Sequence, residues 1–364
     1  MEKARFKWVL RERNRKIAAK TEVFTEQQAR RVRSFHSSFK EYSPTPLIEL
    51  TSLAQHLGIK NLFVKDESYR FELNAFKVLG GSFAIGSYIA NELGEDIDDL
   101  PYMRLVSDEV RSLLGSKTFI TTTDGNHGRG VAWTANRLKQ QAIVYMPQGS
   151  AAERLANIRA EGAQAEITDM NYDDTVRYTS ELAQKNGWII VQDTAWDGYT
   201  RIPLWIMQGY MTMALEAYEQ LPVKPTHIFL QAGVGSLAGS VQGFFADIYG
   251  SSCPLTFIVE PKGADCLYQT AAANDGSLHS VTGRLETIMA GLACGEPNSI
   301  AWEILGNLSD GFISCPDYTA AQGMRILGNP LAGDTKVSAG ESGAATVGPV
   351  SYTHLRAHET LANL

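Results

Sequence analysis

From about residue 45 the chain repeats one pattern: a short apolar run, a turn, then a longer segment of helical period. The runs predicted as strands are Leu62–Lys65, Thr118–Thr122, Ile143–Met146, Ala165–Thr168, Trp188–Gln192, His227–Gln231, Thr256–Val259 and Phe312–Ser314. Helical segments lie between them, among them Ala151–Glu161, Tyr172–Lys185 and Ile202–Leu221. Apolar strands alternating with amphipathic helices predict parallel sheets covered on both faces, an α/β class. At 364 residues the length suggests about two domains. The strands fall into two groups, which predicts two open parallel-sheet lobes, the smaller inserted in the larger. Residues 1–44 form an N-terminal segment, 45–85 and 197–348 the large lobe, and 86–196 the small lobe. A ligand belongs in the cleft between them, near strand C-termini and helix N-termini.

Charge narrows the partners. The net charge is -7, which gives no reason to expect nucleic acid. Residues 1–40 nevertheless hold twelve Lys or Arg against four Glu. Trp8, Val9, Ile17, Val23 and Phe24 are interleaved with those charges, so a solvated helix packed on the body is expected rather than a free basic arm. No apolar signal-peptide core is present in the sequence, and a cytoplasmic protein is expected. The longest uncharged run, Pro225–Ala246, has the length of a membrane span. Its Gln231, Gln242, two Ser and four Gly read better as strand, glycine turn and helix. Cys253, Cys266, Cys294 and Cys315 have no zinc or thioredoxin spacing, and no metal site is expected. A Cys266–Cys294 bridge is left open. After Gly348 the pattern stops, and residues 349–364 read as a non-native tail on an interrupted C-terminus.

Four motifs can carry chemistry. In "VKDESYRFELNAFKVLGGSFA", residues 64–84, Lys77 precedes a helix predicted to start near Val78. The positive helix end and partial burial would both depress its pKa and free the neutral amine that imine formation needs. An ordinary loop lysine is the alternative, and Lys65 and Lys262 are rivals. In "TTTDGNHGRGVAW", residues 121–133, Thr123, the N–H groups near Gly125 and the Asn126 side chain could converge on an anion or phenolate. Asp124 is either a base or an N-cap. His127 could be a general base, but a structural role is preferred.

In "LQAGVGSLAGS", residues 230–240, a glycine turn opens a helix, as single-phosphate cradles do. The spacing from Gly235 to Gly239 matches neither the dinucleotide fingerprint nor the Walker lysine motif. In "VQDTAWDGYTRIP", residues 191–203, Asp193 ends a predicted strand, either as a turn residue or as a carboxylate holding a cationic substrate group.

Lysine, asparagine turn and glycine loop in this order resemble the fold-type II pyridoxal-phosphate enzymes, the tryptophan synthase β-like group. Within that group "NAFKVLGG", "TTTDGNHGRGVAW", "DMNYDDTVR", "VQDTAWDGYT", "AGVGSLAG", "IMAGLACGEPN" and "SAGESGA" resemble the diaminopropionate ammonia-lyase family. The resemblance runs from about Phe35 to Gly348.

The resemblance implies that Lys77 holds pyridoxal 5'-phosphate through an imine and that Asn126 bonds the ring hydroxyl oxygen. Gly233, Val234, Gly235, Ser236 and Leu237 would cradle the phosphate. The implied reaction is α,β-elimination of ammonia from D- and L-2,3-diaminopropionate, giving pyruvate and two ammonium ions. Lys77 would serve as base for the L isomer and Asp124 for the D isomer. Asp193 would orient the β-ammonium, with Thr123 also contacting substrate. A homodimer is implied. The resemblance implies that the family continues past Gly348 into a strand and a turn supplying a hydroxyl-bearing residue that faces the pyridine nitrogen, and that residue has no counterpart here. The competing expectations are a serine/threonine dehydratase-like lyase and an inactive truncated cofactor-binding fragment.

Overall fold

The computed structural model describes residues 6–11, 21–123 and 125–350. Its strands are β1 (Lys7–Leu10), β2 (Leu47–Glu49), β3 (Phe63–Lys65), β4 (Thr118–Thr122), β5 (Gln141–Met146), β6 (Gln164–Ile167), β7 (Ile189–Ile190), β8 (His227–Gln231), β9 (Leu255–Pro261) and β10 (Gly311–Cys315). They form two four-stranded sheets and a small pair. One sheet has the order β6-β5-β4-β7 and is wholly parallel, with Thr118 opposite Gln141 and Phe119 opposite Ile189. The other has the order β1-β10-β9-β8 and is parallel except for β1. The antiparallel pair β2-β3 stands apart. The first sheet's strands fall between β3 and β8 in the chain, so the smaller lobe is an insertion in the larger.

The apolar runs form strands because helices cover both faces. In β4, Phe119, Ile120, Thr121 and Thr122 are all buried. Helix Lys77–Leu93 carries small and apolar residues on every side and is buried nearly all round, the mark of a central helix. It ends at Gly94, whose N–H caps Ala90 and Asn91 in a left-handed turn. Its first turn touches the helix Asn126–Arg137 so closely that a Cβ on Gly130 would stand 2.8 Å from the Val78 Cα. Helix Arg201–Gln220 begins with Pro203 in its first turn, where a missing N–H costs nothing.

Two buried polar assemblies lie beneath this helix. His36 is fully buried in helix Glu26–Ser37. Its Nε2 lies 3.0 Å from the Leu79 carbonyl, which only accepts, so Nε2 donates. Nδ1 therefore accepts from Thr212, 2.7 Å away. Burial drives its pKa down to about 3. Arg70, also fully buried, donates to Glu67 at 2.8 Å and to Glu216 at 2.6 and 2.9 Å.

The N-terminal segment differs from its expectation. Lys7–Leu10 is an edge strand, and Trp8 and Leu10 are exposed rather than packed. Phe24 and helix Glu26–Ser37 do pack, through Ala29, Val32 and Phe35. Ile17 lies outside the described residues. The run Pro225–Ala246 resolves into β8, the turn at 233–235 and helix Ser236–Tyr249. Among the described residues no helix is long and apolar enough to cross a membrane. Cys266 and Cys294 form no disulfide. Of the expected tail at 349–364, Pro349 and Val350 are described and buried, and residues 351–364 lie outside the described residues.

Candidate active site

Lys77 opens its helix on the large-lobe side, and Asp193 follows β7 in the small lobe. Lys77 Nζ donates to Asp193 Oδ2 at 2.5 Å, although 116 positions separate them. Burial alone would push the lysine pKa down, as the sequence suggested. The Asp193 carboxylate outweighs that effect and raises it. The expectation of a depressed amine is therefore corrected: a buried counter-charge wins over desolvation here. Burial would likewise raise the Asp193 carboxyl, but the Lys77 ammonium holds it down at about 2. The two form a charged pair at the bottom of the cleft.

The segment carrying Asp193 is tied down from several sides. The Gln192 side-chain oxygen accepts from the Thr122 N–H at 3.0 Å and from the Thr121 hydroxyl at 3.0 Å. Its amide donates to Tyr172 at 2.7 Å. The Gln192 N–H donates to the Tyr199 hydroxyl, which in turn donates to the Ile190 carbonyl. Tyr199 stacks on Trp196 at 4.2 Å between ring centres, so these two rings buttress the turn.

The glycine motif sits where β8 meets helix Ser236–Tyr249. Gly235 has φ +102°, a left-handed conformation that favours glycine. A Cβ on Gly233 would meet Cys294 Sγ and the Leu292 Cα, both at 3.3 Å. The Ser236 hydroxyl donates to the Asp193 backbone carbonyl at 2.5 Å and accepts from the buried Asn298 amide at 2.8 Å. The large-lobe loop is thus bonded to the small-lobe carboxylate segment.

A cavity of about 960 Å³ runs between the lobes and is lined by Lys77, Asn126, Asp193 and all five residues from Gly233 to Leu237. Asn126 opens its helix and is exposed. Thr123 is buried, and its hydroxyl oxygen accepts from the Gly125 N–H at 2.9 Å, so the turn already uses part of its capacity. Asp124 lies outside the described residues. His127 is buried with Nε2 donating to the Val191 carbonyl at 2.8 Å. Of the rivals of Lys77, Lys65 lines the same cavity but is engaged by Glu216 at 2.8 Å, and Lys262 is exposed.

These residues fit pyridoxal phosphate. A phosphate suits the side-chain-free glycine turn at the start of a 14-residue helix, whose first N–H groups lack intrahelical acceptors. An amine for the aldehyde and an amide for a phenolate line the same cavity.

Sequence reasoning missed several members of the site. Asn298 is the partner of Ser236. Tyr210 lines the cavity with a buried hydroxyl that has no hydrogen-bond partner among the described residues. Arg154 and Glu341 pair at 2.8 Å on the cavity wall. Each comes from a different element, and no local spacing joins them.

A two-lobed parallel α/β fold with a lysine, an asparagine turn and a glycine phosphate cradle in its cleft defines a fold-type II pyridoxal-phosphate lyase scaffold. The family model described as pyridoxal-phosphate dependent enzyme matches residues 39–361. The chain belongs to that family and, within it, to the diaminopropionate ammonia-lyases. It is 51% identical over 336 residues to the diaminopropionate ammonia-lyase of Escherichia coli (strain K12), covering 91% of this chain and 83% of the relative. It is 53% identical over 322 residues to the one of Salmonella typhimurium (strain LT2), covering 87% and 80%. The crystal structure of the selenomethionine-containing holo diaminopropionate ammonia lyase from Escherichia coli superposes with a TM-score of 0.89 at 49% identity, over 96% of this chain and 87% of that one.

Proposed function

We propose that the protein removes ammonia from 2,3-diaminopropionate of either hand by α,β-elimination, yielding pyruvate and two ammonium ions. The observation that carries this reading is the half-buried pairing of Lys77 with Asp193 inside the cleft. Once Lys77 is engaged by the cofactor aldehyde, Asp193 remains as a carboxylate facing the cavity, suited to a substrate with a second ammonium group. The high identity to diaminopropionate ammonia-lyases supports the same substrate.

In this reading Lys77 anchors the cofactor, Asn126 bonds the ring oxygen, and Gly233 to Leu237 hold the phosphate. Pyridoxal phosphate, when bound, supplies an electron sink for the α carbon. The chain's own part is to hold and move protons. Lys77 takes the α proton of the L isomer, and Asp124 that of the D isomer from the opposite face. An aspartate is an effective base there only with a pKa raised toward working pH. Asp193 orients the β-ammonium, and Thr123 contacts substrate. We read the protein further as a cytoplasmic homodimer, and the mass from analytical ultracentrifugation checks the dimer directly.

The test is pyruvate release from each enantiomer, with serine and threonine as comparison substrates. Asp124→Asn abolishes turnover of the D isomer and spares that of the L isomer. Equal loss on both would refute the two-base assignment.

A further inference from the structure

A second, much smaller chamber adjoins the cleft. Its volume is about 10 Å³, the room for one water-sized molecule. Its described lining includes Lys77 and Asp193 from the main cavity, with Thr122, Thr123, His127 and Tyr172. The sequence reading left His127 without a chemical task. Its Nε2 donates to the Val191 carbonyl, so the proton sits on Nε2 and Nδ1 is a bare lone pair. That Nδ1 is buried and has no hydrogen-bond partner among the described residues. A buried acceptor without a donor is costly, which calls for a donor that arrives from outside.

The geometry points to this chamber as the seat of the substrate's β-nitrogen, with His127 Nδ1 accepting one of its N–H bonds beside Asp193. The inference rests on the proposed diaminopropionate reaction and names the residue that recognises its leaving group. The chemistry agrees. As the Cα=Cβ bond forms, the Cβ–N bond breaks and its electron pair leaves with nitrogen. An ammonium group departs as neutral ammonia with three of its own protons, and the α proton goes to the base. No acid is needed. A hydroxyl leaving group would need a proton, and His127 has none to give, because its one N–H is held by Val191. Burial first, and the Lys77 charge next, keep the imidazole below its ordinary pKa against the pull of Asp193. His127 is thus built to accept from an ammonium and not to protonate a hydroxyl, which selects an amine over an alcohol.

Two variants of the full holoenzyme separate this role from a mere tether. In His127→Gln the amide reaches the Val191 carbonyl but the Nδ1 acceptor is gone. In His127→Asn the side-chain oxygen stands near the Nδ1 position and the tether is lost. The expected result is a fall of about tenfold or more in kcat/KM for diaminopropionate in His127→Gln, with cofactor affinity unchanged. His127→Asn should keep most of the activity, and inhibition by ammonium chloride should weaken only in His127→Gln. The reverse ranking, or no change in His127→Gln, overturns the inference. Nitrogen NMR of histidine-labelled wild-type holoenzyme gives a readout that needs no variant and no turnover. It should show a proton on Nε2, none on Nδ1 at pH 7, and an Nδ1 shift on adding ammonium chloride. An imidazolium, an Nδ1–H tautomer or an unmoved signal sinks the inference. If wild-type enzyme releases no pyruvate from diaminopropionate, the functional reading has failed, and the NMR result alone decides on the ammonia seat.

Discussion

The Ser236 hydroxyl donates to the Asp193 backbone carbonyl at 2.5 Å, bonding the glycine loop of one lobe to the carboxylate segment of the other. Whatever holds Ser236 in place therefore also helps to position Asp193. Asn298 does so, with its amide on the serine oxygen and its own oxygen capping the helix Ser299–Leu308. Ser236→Ala leaves the buried Asn298 amide with only the Met207 sulfur, 3.9 Å away, and removes a hydroxyl from the proposed phosphate cradle. A loss of about tenfold in pyridoxal phosphate affinity is expected, with a stability cost of roughly 1–3 kcal/mol. Absorbance titration and thermal unfolding measure the two, and unchanged affinity would show that the hydroxyl serves only the fold.

Lys77 and Asp193 should respond differently to replacement. Lys77→Ala removes the amine and should eliminate the visible absorption band of the holoenzyme. Retention of the band would place the anchor on another lysine. Asp193→Asn keeps the shape and removes the charge, so the band should persist while turnover falls by about 10²–10³-fold. The rate in stopped-flow and steady-state assays checks this.

Glu216 holds Arg70 and Lys65 together beneath the site, and the Lys65 Nζ also reaches the Thr45 carbonyl. Burial would raise the Glu216 carboxyl, but the Arg70 guanidinium keeps it down at about 2. Glu216→Ala takes a carboxylate partner from buried Arg70 and from half-buried Lys65, and a loss of about 3–5 kcal/mol is expected. Chemical denaturation of the variant gives the number directly. A loss under 1 kcal/mol would mean that Glu67 alone compensates Arg70.

Acid should loosen the helix that carries His36. In the folded chain His36 titrates at about 3, far below its ordinary 6.5. Between these values the unfolded chain binds the proton and the folded chain does not. The stabilising contribution is thus full above about pH 6.5 and falls as pH drops toward 3, by about 1.4 kcal/mol per pH unit. Urea unfolding at stepped pH should show this slope in wild type and a shallower one in His36→Gln.

Thr118–Thr122 and His227–Gln231 were legible residue for residue, because each is a short run closed by a polar or glycine turn, the first buried on both faces and the second half-buried around Leu230. Lys7–Leu10 was not legible as a strand. It stands in a basic stretch, and its strand partner, Gly311–Cys315, lies some three hundred residues away. The predicted strand Trp188–Gln192 shortened to two residues, since the Gln192 side chain and Tyr199 take over the hydrogen bonds beyond Ile190. Of the candidate site, the motifs already named Lys77, Asn126, Asp193 and the loop at 233–237. Tyr210, Arg154, Glu341 and Asn298 carried no local signal, since a single side chain on a helix or loop says nothing about what faces it.

Taken by itself, the amino-acid order determined the alternation of strands and helices, the class of chemistry and the identity of the glycine turn, because these depend on periodicity and short-range conformation. Only the tertiary structure decided the charge state of Lys77, the tautomer of His127 and the bond from Ser236 to Asp193. Each depends on burial and on a partner at least 43 positions away along the chain. Electrostatic shifts and hydrogen bonds act over a few ångströms of space, whatever the separation in sequence.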